Sequence, residues 1–334
     1  MILAAPLPMQ PRGWQQAWRD SVRDPRELLA LLGLEAEAGS VPDAAVAAFA
    51  LRVPRAFIGR MRHGDRHDPL LRQVLPLDDE LRTVPGFGLD AVGDGAARVA
   101  RGVIHKYEGR ALLVATGSCA INCRYCFRRH FPYAEETAAA GGWAAAVEAI
   151  ATDPSVTEVI LSGGDPLALA THKLVEVTDR LRAVPHVRRL RIHTRLPVVL
   201  PERVDDALLA WLSSLPWPVV VVVHANHGNE FDADVDAAMA ALRAAGATLL
   251  NQAVLLAGVN DSMEALATLC ERGFDAGVLP YYLHQLDRVA GTAHFEVADA
   301  HARELHAALV ARLPGYLVPR LVREVAGDAS KRAL

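Results

Sequence analysis

From Tyr107 onward, short runs of aliphatic and β-branched residues alternate with longer stretches whose apolar positions recur every three or four residues. The short runs predict strands near Ala111–Ala115, Glu158–Ser162, Arg188–His193, Val219–His224, Thr248–Val254 and Val278–Leu283. The periodic stretches predict helices near Trp143–Ala151, His172–Ala183, Val204–Ser213, Val235–Ala245, Ser262–Arg272 and Ala298–Leu313. A strand–helix repeat of this kind requires parallel strands joined by crossover helices, so the class is α/β. Six units fit an open or partial barrel better than a closed eight-stranded one.

Residues 1–95 read as a helical domain with a connector, and residues 96–316 as the barrel. Asp24 caps a helix that starts on Pro25 and stops at Gly33. A second helix is expected from Val41 to Phe57, and Asp68 to Gly88 carries the Pro, Asp and Gly punctuation of a surface connector. On its own pattern this region is a packing appendage.

The polar groups with chemical potential cluster at one place in the repeat. Cys119, Cys123 and Cys126 follow the first barrel strand, and Ser162-Gly163-Gly164-Asp165 follows the second. His193-Thr194-Arg195, His224 to Glu230 and Gln285 to Asp287 follow later strands. Loops after the strand carboxyl ends carry the chemistry of such barrels, so these residues are expected to share one site.

Composition narrows the setting. A formal charge of −4 and a pI near 6.4 give no electrostatic case for nucleic acid or an anionic membrane as partner. The apolar run Val219–Val223 is far too short to span a bilayer. Met1 to Arg12 shows no basic segment leading into an apolar run, so no export signal is read there. Four cysteines, three of them packed together, do not form a secreted disulfide framework; a reducing cytoplasm fits.

Three thiolates at Cys-x3-Cys-x2-Cys spacing can converge on one soft metal centre. A [4Fe–4S] cluster normally takes four cysteines, and three leave one iron open for chemistry. The competing reading is a zinc knuckle with His130 as fourth ligand. Gly163 and Gly164 let backbone approach a ligand closely, or simply make a tight strand-to-helix turn.

The cysteine spacing after a first barrel strand resembles the radical S-adenosylmethionine (SAM) superfamily. There the open iron chelates SAM, and the loop matching Ser162-Gly163-Gly164 touches it. Closer still, Arg110-Ala111-Leu112-Leu113-Val114, Cys126-Phe127-Arg128-Arg129, Arg195-Leu196-Pro197-Val198-Val199-Leu200-Pro201, His224-Ala225-Asn226-His227-Gly228-Asn229-Glu230 and Asn251-Gln252-Ala253-Val254-Leu255-Leu256 resemble the lysine 2,3-aminomutase family. The similarity runs in register over residues 95–331.

The resemblance implies SAM as radical initiator and pyridoxal 5′-phosphate (PLP) as carrier of the migrating nitrogen. It implies Lys331 as the Schiff-base lysine, on a C-terminal tail (317–334) that closes the active site. Read alone, a lysine so placed is a solvated tail residue. Arg110 and His227 are implied in the PLP pocket, Arg128 on the substrate α-carboxylate, and Asp287 and Glu324 on the ε-ammonium of L-lysine. Each of these charges, taken singly, is also a plausible surface ion pair or loop cap. The catalytic lysine would thus come from the far end of the chain, and a flavodoxin- or ferredoxin-like protein would supply the electron.

The chain has only Cys270 beyond the cysteine triplet, so the Cys-rich zinc segment of the catabolic aminomutases is not expected. That pattern resembles the elongation factor P β-lysylation branch, which makes (R)-β-lysine for a lysyl-transferring ligase. Two enzymatic alternatives remain: a free-standing lysine aminomutase, and one acting on glutamate. A non-enzymatic Fe–S or zinc module for a translation factor is the alternative from another class.

Overall fold

The computed structural model describes residues 13–334, so the reading of Met1 to Arg12 lies outside the described residues. Among its described residues the amino-terminal segment holds five short α-helices: α1 (Trp14–Arg19), α2 (Pro25–Leu31), α3 (Asp43–Ala48), α4 (Arg55–Ile58) and α5 (Pro69–Arg72). The single helix expected over 41–57 is therefore broken. Pro54 disfavours a helical Val53, and Val53 instead exchanges two backbone hydrogen bonds with Val22, both 2.9 Å.

One ten-stranded sheet follows, with its strands in chain order. It opens with β1 (Arg98–Ala100) and β2 (Val103–Tyr107), which pair antiparallel with each other and with β3 (Arg110–Thr116). From β3 the sheet is parallel through β4 (Glu158–Gly163), β5 (Arg189–Thr194), β6 (Val219–Val223), β7 (Ala247–Val254), β8 (Leu279–His284) and β9 (Arg320–Arg323). The last strand, β10 (Arg332–Ala333), turns back antiparallel on β9. No pairing joins β1 to β10 among the described residues, so the barrel is open.

The crossovers are α6 (Ala144–Ala151), α7 (Thr171–Leu181), α9 (Asp206–Ser213) with the short α8 (Leu196–Val199) before it, α10 (Ala233–Ala244), α11 (Met263–Asp275) and α12 (Asp299–Arg312). Asp205, Asp232 and Ser262 cap α9, α10 and α11 by accepting from the backbone N–H three residues on. The six strand–helix units correspond to the predicted ones, and β9 extends them.

One hydrophobic core takes in Trp14, Val22 and Leu28 together with Leu113, Val221 and Leu321. The amino-terminal segment is thus packed into the same body as the barrel. Residues 317–334 are likewise more than a tail, since they supply β9 and β10. No helix among the described residues is long and apolar enough to cross a membrane.

Candidate active site

The strand carboxyl ends and the loops after them line one cavity of about 390 Å³, within the range of small-molecule sites. Cys119, Cys123, Cys126, Ser162, Gly163, Gly164, Arg110, Arg128, Asp287, Glu324 and Lys331 all border it. His227 does not.

The two glycines lock β4 against the cysteine loop. Gly163 sits at φ +123°, and a Cβ there would lie 2.5 Å from the Thr116 carbonyl oxygen. A Cβ on Gly164 would lie 2.5 Å from the Ser118 carbonyl oxygen. Any side chain would therefore displace the loop that carries the thiols. Asp165, next in line, accepts from the Thr194 hydroxyl at 2.7 Å and from the Arg195 N–H at 2.6 Å, tying β4 to β5. Burial pushes its carboxyl up to about 6 against those hydrogen bonds.

The amino-terminal segment clamps the cysteine loop from the other side. The Asn122 and Arg124 N–H groups donate to the Arg52 and Gln73 carbonyls at 3.0 and 2.9 Å. Arg52 donates in turn to the Cys119 carbonyl at 3.1 Å. Arg124 is fully buried, donates to Glu80 at 2.8 Å and reaches the Phe49 and Ala45 carbonyls. Arg129 shares Glu80 at 2.8 Å. A region that reads by sequence as a packing appendage thus holds the loop in place.

Three half-buried thiols on one loop at the cavity wall fit a cluster. Burial and the neighbouring thiols push Cys119 well above the ordinary thiol range and Cys126 up to about 11, so at these two positions a bare thiol would stay protonated. Thiolates in such a place need a metal centre to carry their charge. Among the described residues no three His, Cys, Asp or Glu side chains are arranged for a single metal ion. Zinc would draw its sulfurs to roughly 4 Å from one another, given Zn–S bonds of about 2.3 Å. His130, the candidate fourth ligand, is exposed and faces the Ala290 carbonyl at 3.1 Å. The donor set therefore favours the larger cluster over zinc.

Behind Cys123 lies a buried polar network. Arg195 Nη1 donates to the Cys123 sulfur at 2.7 Å and to the Tyr125 hydroxyl at 2.6 Å. Its Nη2 donates to Gln73 Oε1 at 2.7 Å and to Glu230 at 2.9 Å. Asn226 Nδ2 also donates to the Tyr125 oxygen at 2.7 Å. With two donors on that oxygen, the tyrosine proton is left for His224 Nε2, 3.1 Å away. Burial holds the His224 imidazole down at about 3, so its ring is neutral and can accept.

Across the cavity runs a row of alternating charges. Arg128 Nε meets Asp94 at 2.6 Å, Asp94 meets Lys106 at 2.6 Å, and Lys106 meets Glu324 at 2.8 Å. Glu324 also pairs with Lys331. Burial opposes the Glu324 charge, but Lys331 and Lys106 outweigh it and hold the carboxyl down at about 2. Asp287 behaves oppositely: burial, reinforced by Glu324, pushes it up to about 7. Arg128 Nη1 reaches the Ser162 hydroxyl at 3.2 Å, which links the row to the glycine loop.

Arg110 stands apart. Lys106, Arg128, Arg191, Arg195 and Lys331 each pair with a carboxylate, whereas Arg110 lines the cavity with no ion pair among the described residues. Its guanidinium lies 4.6 Å from the Tyr107 ring centre. His193 Nε2, also on the cavity wall, is buried without a partner among the described residues. An uncommitted guanidinium on that wall fits an anionic ligand such as a phosphate ester.

His227 needs correction. Its Nδ1 accepts from the Asn229 N–H at 3.1 Å and caps a single turn over Gly228–Glu230. Of the two histidines in this loop it is His224, the first residue after β6 ends at Val223, that lies on the cavity wall. Sequence reasoning also assigned no role to Asp94, Lys106, Tyr125, Glu230 or Gln252. The signal for Gln252 lies in β7, whose alternation puts it on the half-buried face toward the cavity.

Comparison with known proteins adds to this geometry. Residues 107–191 match the model of a 4Fe-4S single cluster domain. The chain is 49% identical over 322 residues to the L-lysine 2,3-aminomutase of Escherichia coli (strain K12), covering 96% of this chain and 94% of that protein. It is 42% identical to the L-lysine 2,3-aminomutase of Haemophilus influenzae, over 97% of this chain and 98% of the relative. The L-lysine 2,3-aminomutase of Clostridium subterminale is 30% identical over 95% of this chain and 76% of its own length. Among solved structures, a radical SAM methyltransferase from Sphaerobacter thermophilus aligns with a TM-score of 0.44 and 18% identity, over 66% of this chain and 68% of that one.

Proposed function

The chain belongs to the L-lysine 2,3-aminomutase family, a family of isomerases, and from that premise we propose that it converts L-α-lysine to (R)-β-lysine using a [4Fe–4S] cluster, SAM and PLP. The observation that carries this reading is the row from Arg128 to Glu324 in one cavity. It offers a guanidinium for an α-carboxylate and, through Asp94 and Lys106, a carboxylate for a cationic side chain. Asp287 lines the same cavity as a second acid. Two acids favour a lysine ammonium and penalise a glutamate side chain.

Cys119, Cys123 and Cys126 would hold the cluster, with Ser162, Gly163 and Gly164 beside it for SAM. Arg110 would take the PLP phosphate, with His224 rather than His227 on the pocket wall, and Lys331 would carry the cofactor. These groups, when bound, supply the radical initiation and the delocalising π-system for nitrogen migration. The chain's own residues fix the substrate between Arg128 and the acids. While Lys331 holds no cofactor, its ammonium sits on Glu324, where the substrate's ε-ammonium is assigned.

The test is incubation of anaerobically reconstituted protein with SAM, PLP and a reductant, giving it lysine or glutamate. (R)-β-lysine from lysine, with glutamate unchanged, is the expected result. Turnover of glutamate alone would reject the pocket assignment.

The product's destination is assigned by the cysteine pattern, with only Cys270 beyond the triplet, which resembles the elongation factor P branch. A cytoplasmic setting and a flavodoxin- or ferredoxin-like donor go with that reading. Intact-mass analysis of elongation factor P from cells lacking this gene should show the β-lysyl adduct lost. An unchanged adduct would remove the factor from the account.

A further inference from the structure

We propose that Arg195 is a positioning residue that raises the reduction potential of the cluster by hydrogen bonding to the sulfur of Cys123. The inference rests on the cluster reading above and concerns only this chain's residues around it.

Arg195 is 7% exposed, and four of its five N–H donors are committed. Nη2 is consumed by Gln73 and Glu230. Nη1 has two hydrogens, one for the Tyr125 hydroxyl and one aimed at Cys123. If the side chain served only to neutralise Glu230, the Nη1 face would need no special partner. Glu230 is in any case well satisfied, since it accepts from Gln73 Nε2 at 3.1 Å and from the Asn226 N–H at 2.8 Å. The guanidinium cannot turn away, because Phe57 and Tyr125 lie against it, their ring centres 5.4 and 5.7 Å from Cζ.

A fixed cation donating to a cluster sulfur stabilises the more negative, reduced cluster over the oxidised one. Hydrogen bonds to the sulfurs and local charge are the protein's means of setting such potentials. No side-chain donor comparable to Arg195 addresses the other two sulfurs among the described residues: Arg52 donates to the Cys119 carbonyl and not its sulfur, and Cys126 receives the Arg128 backbone N–H. Glu230, 2.9 Å behind the guanidinium, works in the opposite direction. The pair should therefore give shifts of opposite sign.

The experiment is EPR-monitored redox titration of the reconstituted holoprotein without SAM. Arg195→Gln should lower the reduction equilibrium constant about tenfold, a fall of about 59 mV for one electron. Glu230→Gln should raise the potential. If Arg195→Gln does not retain a cluster, Glu230→Gln is compared with the doubly neutral Arg195→Gln/Glu230→Gln, which should titrate lower than the single variant. Clusters of normal iron and sulfide content with unmoved potentials, or with both single variants shifted the same way, overturn the proposal. So does a SAM affinity loss with an unmoved SAM-free potential, which would place Arg195 on SAM. Wild-type protein that binds no iron would instead reject the cluster reading itself.

Discussion

The cavity has two charged ends, built on different rules. Around the cysteine loop the buried charges are paired in advance: Arg124 and Arg129 share Glu80, and Arg195 is held by Glu230. All five side chains are 7% exposed or less. Around Lys331 the ions are partly open to the cavity and pair with one another in a row. The first end is fixed in advance, as a centre that must not move requires. The second is satisfied by contacts that a charged substrate can replace. The distinction predicts which mutations damage folding and which damage binding.

The largest effect should fall at the fixed end. Arg124→Ala leaves buried Glu80 with Arg129 as its remaining cation and strips donors from the Phe49 and Ala45 carbonyls. Breaking a buried pair from one side costs up to about 3–5 kcal/mol, of which Arg129 offsets a part. Calorimetry should show a large drop in melting temperature together with loss of iron. Wild-type melting would mean that the amino-terminal clamp is dispensable, and the contrast would collapse.

At the other end the same kind of truncation should be mild for stability and severe for function. Lys331→Ala removes a pair whose side chains are 21% and 15% exposed, worth no more than about 1 kcal/mol after solvent screening. The PLP aldimine absorbance and lysine turnover should both vanish while the melting temperature barely changes. A retained absorbance band would move the cofactor lysine elsewhere.

How much of this was legible in the sequence follows the same division. The six strand–helix units were readable because runs such as Val219–Val223 and caps such as Asp205 and Ser262 are local signals. β1, β2, β9 and β10 were missed, being short and set by pairing across the sheet. The helix over 41–57 failed because Val53 is claimed by Val22, a partner 31 positions away. In the site, the loops that carry Arg195 and Glu230 were legible as site loops, but only three-dimensional packing buries the two side chains together behind Cys123. His224 and His227 were indistinguishable until the end of β6 at Val223 decided which one meets the cavity.

Glu324→Gln tests the exchangeable end more finely. It keeps the shape and removes the charge that Lys331 and Lys106 share. A hydrogen bond to a charged group is worth about 1.5–3 kcal/mol, so KM for lysine should rise about ten- to a hundredfold. The cluster's EPR signal should be unaltered. An unchanged KM would take Glu324 out of the substrate pocket.

The smallest effect, and the one that most directly probes the open end, is a pH dependence from Asp287. Burial raises this carboxyl to about 7, with Glu324 adding to the rise and Lys331 and Lys106 opposing it. Below that pH the folded protein holds a proton on Asp287 that the unfolded chain, with an ordinary aspartate near 3.8, has lost. Between about 4 and 7 the native state therefore binds more protons, and this group's contribution to stability falls as pH rises, levelling above 7. Binding runs the other way: only the carboxylate attracts an ammonium, and an arriving lysine favours ionisation and releases a proton. KM for lysine should fall as pH rises from 6 to 8, while Asp287→Asn should show a higher and flatter KM. A wild-type KM independent of pH across that window would leave Glu324 as the sole acid acting on the substrate.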